Sequence, residues 1–238
     1  MQLLDFTIDR DELAERFGGG IPQGSLVVIE GKYGAGKSIL TQRLMYGLLA
    51  NKHSVCVVST ELTTAGFFDQ MESLDYDVET AILGEQLVFV PVHPLVGHRA
   101  PRSDMLRRIV KARRMYTKDV VIFDTFSKFL GDHERISGAG PATMEQIEAA
   151  LYLFKRLGSA GKTIILTFEH GQVRDEVAAI FKEAADLFLS LDFELLGNTA
   201  ARRIVVNRLS RAKGRFGDII GYRVEPGVGL IIEIKSVV

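Results

Sequence analysis

The sequence predicts an α/β fold: one domain over residues 1–238, with a mainly parallel central sheet, helices on both faces and a C-terminal β-hairpin. Three observations predict it. Short apolar runs suited to buried strands alternate with stretches whose apolar residues recur at helical spacing, the pattern of a parallel sheet with covered faces. A glycine-rich loop, Gly31-Lys32-Tyr33-Gly34-Ala35-Gly36-Lys37-Ser38, sits between the first such run, Leu26 to Ile29, and the helix-patterned Ile39-Leu40-Thr41-Gln42-Arg43-Leu44-Met45. After a helix around Arg174 to Ala185 the chain turns strand-rich, and Pro226-Gly227 supplies the turn chemistry of a hairpin.

Taken in order, residues 8–16 pattern as a short helix stopped by Gly18-Gly19-Gly20, with Pro22 barring its continuation. The first strand leads into the glycine-rich loop, whose two glycines five apart, followed by Lys and Ser, form a phosphate-cradling pattern. Glycines let successive backbone N–H groups converge on an anion, and the helix behind them adds unpaired N–H groups and the positive end of its dipole. Gly31 to Ile39 is therefore the expected nucleotide-binding segment for ATP or ADP, with Lys37 on the β- and γ-phosphates and the Ser38 hydroxyl on Mg²⁺.

The helix is expected from Gly36 or Lys37 to about Ala50, and a second strand from Ser54 to Ser59. Glu61 stands just past that strand's carboxyl end, the edge of a parallel sheet where ligands gather. Two readings stay open for it: a carboxylate that orients water for attack on the γ-phosphate, or an acid favoured by a helix dipole. Residues 63–83 suggest a helical segment broken near Asp75, and Leu87 to Val92 a short apolar run. His93 and His98 share a loop without further ligands, which is poor ground for a metal site.

From Arg99 to Lys118 there are eight cations opposed by Asp104 alone. On a helix over 102–116, Met105, Ile109, Ala112 and Tyr116 share one face and Arg107, Arg108, Lys111 and Arg114 fall largely on the other: a solvated face, or a contact surface for an acidic partner, a subunit or nucleic acid. Val120-Val121-Ile122-Phe123-Asp124 is a buried strand ending in a carboxylate, and downstream of a phosphate loop Asp124 is the expected metal-side acid. Thr125 and Ser127 follow at the same edge. Residues 130–141 form a glycine-rich loop, Pro141 opens a helix to about Leu157, and Thr163 to Phe168 is the next strand. Glu169 and His170 lie beyond its carboxyl end, to sense the γ-phosphate or to cap a helix. Leu187 to Leu191 and Arg203 to Leu209 read as strands, and Tyr222 to Ile234 as the closing hairpin.

Composition narrows the class. With 47% hydrophobic residues among 238, the chain can bury a full core. Its 29 basic and 30 acidic residues give a formal charge of −1, so no global field draws it to nucleic acid or an anionic membrane. No apolar run approaches the ~20 residues that span a bilayer, and the start lacks a basic segment followed by a long apolar one, so a cytoplasmic protein is expected. The single cysteine, Cys56, lies in an apolar run and reads as a buried small hydrophobe.

The leader Gly18-Gly19-Gly20-Ile21-Pro22-Gln23-Gly24-Ser25, placed directly before the phosphate loop, resembles the KaiC and RadA branch of the RecA-like P-loop ATPases. Together with Val206-Asn207-Arg208-Leu209-Ser210-Arg211-Ala212-Lys213-Gly214 and the Gly221–Leu230 ending, it is similar to the archaellum (archaeal flagellum) accessory family FlaH, also called ArlH, across nearly the whole chain. The resemblance implies a single KaiC-type domain and an ATP-binding motility component that forms a ring, hexameric by expectation. It also implies action beside the motor ATPase FlaI and the scaffold proteins FlaX or FlaC-type, at the cytoplasmic face of the membrane through those partners. Arg208 and Arg211 become candidates for reaching a neighbouring subunit's nucleotide, the alternative being an exposed strand and turn.

One departure stands out. KaiC-type ATPases commonly carry two adjacent glutamates after the second strand, whereas Glu61 is followed here by Leu62. That favours ATP as a conformational and assembly ligand, hydrolysed slowly if at all. The competing expectations are an autonomous KaiC-like ATPase or autokinase and, third, a RecA-like DNA-binding ATPase.

Overall fold

The computed structural model describes residues 2–92, 105–130, 141–196, 199–210 and 218–233. His93, His98, Arg211 and residues 131–140 of the expected glycine-rich loop lie outside them. In chain order the elements are β1 (Leu3–Leu4), α1 (Leu13–Arg16), β2 (Ile21–Pro22), β3 (Leu26–Gly31), α2 (Lys37–Ala50), β4 (Val55–Ser59), α3 (Thr64–Ser73), α4 (Glu79–Leu83) and β5 (Leu87–Pro91). Then come α5 (Met105–Lys111), a 3-10 turn (Arg113–Thr117), β6 (Val120–Asp124), α6 (Ser127–Leu130), α7 (Met144–Ser159), β7 (Thr163–Glu169) and α8 (Asp175–Ala184). The chain closes with β8 (Leu187–Leu196), β9 (Thr199–Leu209), β10 (Ile219–Glu225) and β11 (Gly229–Glu233).

Nine strands form one sheet in the order β11-β10-β9-β8-β3-β7-β6-β4-β5, and β1 pairs with β2 in a separate ribbon. The six strands from β8 to β5 run parallel, while β9, β10 and β11 add antiparallel at one edge. Parallel strands covered on both faces must be apolar throughout, and β3, β4 and β6 are buried along their full length. Their alternate side chains feed two cores: Val120 and Ile122 point to the side packed by α1 to α4, and Val121 and Phe123 to the side packed by α5 to α8. Cys56 is buried in the second core, and burial pushes its thiol up to about 12.

The connections place the site. From β3 the chain crosses by α2 over β7 and β6 to reach β4, whereas from β7 it crosses by α8 over β3 to reach β8. Neighbouring strands β3 and β7 therefore send their connections in opposite directions, which opens a crevice at their carboxyl ends. Register sets the carboxyl ends level: Gly31 pairs with Glu169 and Ser59 with Asp124.

Several local expectations are corrected. The helix read over 8–16 is one turn, Leu13–Arg16, because Asp11 is drawn away: its carboxylate takes two hydrogen bonds from the fully buried Arg43 of α2, at 2.6 and 2.7 Å, and one from the Leu13 N–H. The helix over 102–116 runs as α5 and then as the 3-10 turn, with Tyr116 buried and its hydroxyl donating to Ile109 O at 3.0 Å. Its buried side is Leu106, Ile109 and Tyr116, while Arg107, Arg108, Lys111, Arg113 and Arg114 are exposed. α7 begins at Met144, not Pro141, because Thr143 and Gln146 form a reciprocal capping box. The expected closing hairpin is present as β10 and β11, and it extends a larger antiparallel wing, since β8 pairs with β9 over ten registers and β9 with β10.

Candidate phosphate-loop site

The loop between β3 and α2 takes a conformation that only glycine adopts cheaply. Gly34 and Gly36 have φ of 78° and 92°, and Gly36 is the left-handed residue from which α2 starts. A Cβ at Gly36 would also collide with the Tyr222 hydroxyl. Tyr222, fully buried on β10, donates a 2.6 Å hydrogen bond to Ala35 O and so fastens the loop from beneath.

Lys37 folds back along the loop. Its Nζ donates to Gly31 O at 3.1 Å and Lys32 O at 2.9 Å, and Glu169 Oε2 lies 3.8 Å away across the crevice. Burial holds its pKa below the usual lysine range, opposed by Glu169, Glu61 and Asp124. Ser38 Oγ donates to Asp124 Oδ1 at 3.0 Å, and Thr167 Oγ1 reaches the same oxygen at 3.4 Å. Burial pushes the Asp124 carboxyl up to about 6, against the Ser38 hydrogen bond. Thr125, next in the chain, sits at φ 63°, a strained value for a β-branched residue, with its N–H donating to Thr167 Oγ1 at 2.5 Å. The strand ends are braced on the α5–α8 side by Phe126, which packs on Phe123, Phe129, Phe154, Phe168 and Phe181 at ring-centroid distances of 5.4–5.9 Å.

These groups border a cleft of about 390 Å³ lined by Tyr33, Gly34, Gly36, Lys37, Ser38, Ile39, Glu61, Thr125, Glu169, Arg202 and Val224. Of the expected binding segment, Gly31, Lys32 and Ala35 contribute carbonyls that hold Lys37 and Tyr222. Glu61 does not itself cap the helix that follows it. Thr63 caps α3, accepting from the Gly66 N–H at 3.0 Å, while Glu61 faces the cleft and pairs with Lys128 at 2.7 Å. Likewise α8 starts from Arg174, so neither Glu169 nor His170 caps it; Glu169 faces Lys37, and His170 Nε2 stands 3.4 Å from Glu30. Arg208 belongs to the other end of the sheet. Its Nη1 donates to the carbonyls of Lys182, Glu183 and Ala185, closing the C-terminus of α8 within its own chain.

Sequence reasoning did not single out Arg202 from the basic residues near the C-terminus, and it missed Tyr222 and Val224 as residues that line or brace the cleft. Arg202 is half-buried, lines the cleft, and among the described residues has no hydrogen-bond or ion-pair partner. Its signal in the sequence was one arginine among many near the C-terminus.

The donor set suits a magnesium nucleotide. Ser38 Oγ and the Asp124 carboxylate are hard oxygen ligands of the kind Mg²⁺ takes alongside phosphate oxygens. Lys37 is the first residue of α2, so its ammonium and the unpaired N–H groups of the helix N-terminus lie together where an anion would be favoured.

Comparison with known proteins agrees with this geometry. The family described as "ATPase: KaiC" matches residues 8–219. The archaeal flagellar ATP-binding protein FlaH of Methanocaldococcus jannaschii is 35% identical over 237 residues, covering 100% of this chain and 98% of that protein. Its namesake in Methanococcus voltae is 32% identical, covering 100% of both. The crystal structure of flagellar accessory protein FlaH from Methanocaldococcus jannaschii superposes with a TM-score of 0.89 at 34% identity, over 98% of this chain and 100% of that one. With the phosphate loop, the RecA-type sheet and these full-length matches in agreement, the chain belongs to the KaiC family of ATPases, among the FlaH proteins of the archaeal flagellum.

Proposed function

We propose that this protein is a magnesium-ATP-binding component of the archaellum motor in which occupancy of the cleft sets conformation and ring assembly, and hydrolysis is slow. The observation that carries the reading is the convergence of Lys37, the Ser38–Asp124 pair and Glu61 on one cleft. Gly31 to Ile39 would wrap the phosphates with backbone N–H groups, and Lys37 would exchange the carbonyls of Gly31 and Lys32 for phosphate oxygens. Ser38 and Asp124 would hold Mg²⁺, which when bound neutralises charge on the β- and γ-phosphates. Glu61, which lines the cleft, would orient water, and Arg202, which lines the same cleft, would offer a further cation.

Homologues named as flagellar ATP-binding proteins support the motor setting. The finer assignments are that the protein forms a ring with copies of itself, meets FlaI and FlaX or FlaC-type scaffolds, and sits at the cytoplasmic face through them. No helix among the described residues is long and apolar enough to cross a membrane. The cleft position of Glu61 favours one rival, an autonomous ATPase.

Sizing the purified protein without nucleotide, with ADP and with ATP, while measuring released phosphate, separates the two. A nucleotide-dependent oligomer with slow release is expected. An unchanged oligomer releasing phosphate at a few per second or faster, on the order of ordinary enzyme turnover, would replace this reading with the rival.

A further inference from the structure

We propose that Lys128 is a positioning residue that holds Glu61 in a resting pose and thereby restrains hydrolysis at the cleft. The proposal rests on the reading of the cleft as an ATP site and deepens it by naming the residue that sets turnover.

Lys128 Nζ lies 2.7 Å from Glu61 Oε1, the length of a charge-assisted hydrogen bond. The two residues are 67 positions apart and reach each other because β4 and β6 are adjacent: Glu61 follows β4, and Lys128 lies in α6 behind β6. Glu61 lines the same cleft as Lys37 and Ser38. Glu169, the other carboxylate lining the cleft, stands 3.8 Å from the loop lysine instead.

Hydrolysis asks something specific of Glu61. A carboxylate oxygen must accept a proton from water as the water oxygen bonds to the γ-phosphorus and the bond to the β–γ bridging oxygen breaks. ADP departs with that electron pair, and the proton passes on to the released phosphate. An ammonium on Oε1 occupies a lone pair that would take the proton and fixes the direction of the carboxylate. Leu62 follows, so no adjacent carboxylate substitutes for Glu61.

Exposure decides how strong the restraint is. The Lys128 and Glu61 side chains are 31% and 34% exposed, so water and salt screen the pair and its effect is a small factor. It acts as an adjustable hold, released by anything that draws Lys128 elsewhere.

The test uses the full-length protein with Lys128→Met, Lys128→Arg and Glu61→Gln, measuring ATP turnover together with binding of a fluorescent ATP analogue. Lys128→Met should raise kcat roughly two- to five-fold with KM unchanged, the scale of an exposed pair. Lys128→Arg should stay at the original rate, and Glu61→Gln should cancel the gain. Unchanged or lower turnover in Lys128→Met, with nucleotide still bound, overturns the proposal. Failure of the unsubstituted protein to bind the analogue overturns the ATP-site reading instead, and the proposal with it. Urea unfolding of the nucleotide-free variants gives a second readout. The Lys128→Met and Glu61→Gln shifts should be non-additive in the double variant, and strict additivity counts against the pair.

Discussion

The parallel strands and the antiparallel wing both line the cleft, but they reach it differently. On the parallel side, Lys37, Ser38, Glu61, Asp124 and Glu169 all lie at or within seven residues of a strand's carboxyl end, brought level by register. On the wing, Arg202 lies inside β9 and Tyr222 and Val224 inside β10; they meet the loop because β9 and β10 continue the sheet past β8. The difference teaches that the loop lysine, serine and strand-end carboxylates follow local motifs, whereas Arg202 and the brace beneath the loop come from a distant part of the chain.

Substitutions on the two sides sharpen that contrast. The largest effect is expected from Lys37→Ala, which removes a charge-assisted contact with phosphate and should weaken ATP binding about 10- to 100-fold by titration calorimetry. Wild-type affinity in that variant would take the ammonium out of the site and break the contrast. Next comes Tyr222→Phe, which keeps the ring packed and leaves the buried Ala35 carbonyl without its donor. Urea unfolding should show a loss of about 1–3 kcal/mol, and the looser loop should bind ATP roughly three- to ten-fold more weakly. If neither measurement moves, the wing does not hold the cradle. The smallest effect is expected from Arg202→Ala, roughly two- to five-fold in affinity and shrinking as salt is raised, because the side chain is only half-buried. An effect as large as that of Lys37→Ala would erase the division of labour between the two sides.

Much of the parallel half was legible. Val120-Val121-Ile122-Phe123-Asp124 gave β6 without error, since a fully buried strand needs an unbroken apolar run. The break near Asp75 was readable too, and Asp75 takes φ of 55° between α3 and α4. Misreadings fell where a side chain had a tertiary partner. Asp11 looked like part of a helix until Arg43 claimed it, and nothing local to Arg208 signalled that three carbonyls of its own chain hold Nη1. The strain at Thr125 left no trace in the sequence, because a threonine after a strand usually has an ordinary backbone.

By itself the sequence determined the alternation of strands and helices and the phosphate-loop chemistry, because periodicity and motif spacing act over a few residues. Tertiary structure alone decided that Lys128 meets Glu61, that Arg202 enters the cleft, and that a tyrosine 187 positions away fastens Ala35. Those contacts depend on strand order and on where crossovers return the chain, and no local pattern encodes a meeting of residues that far apart.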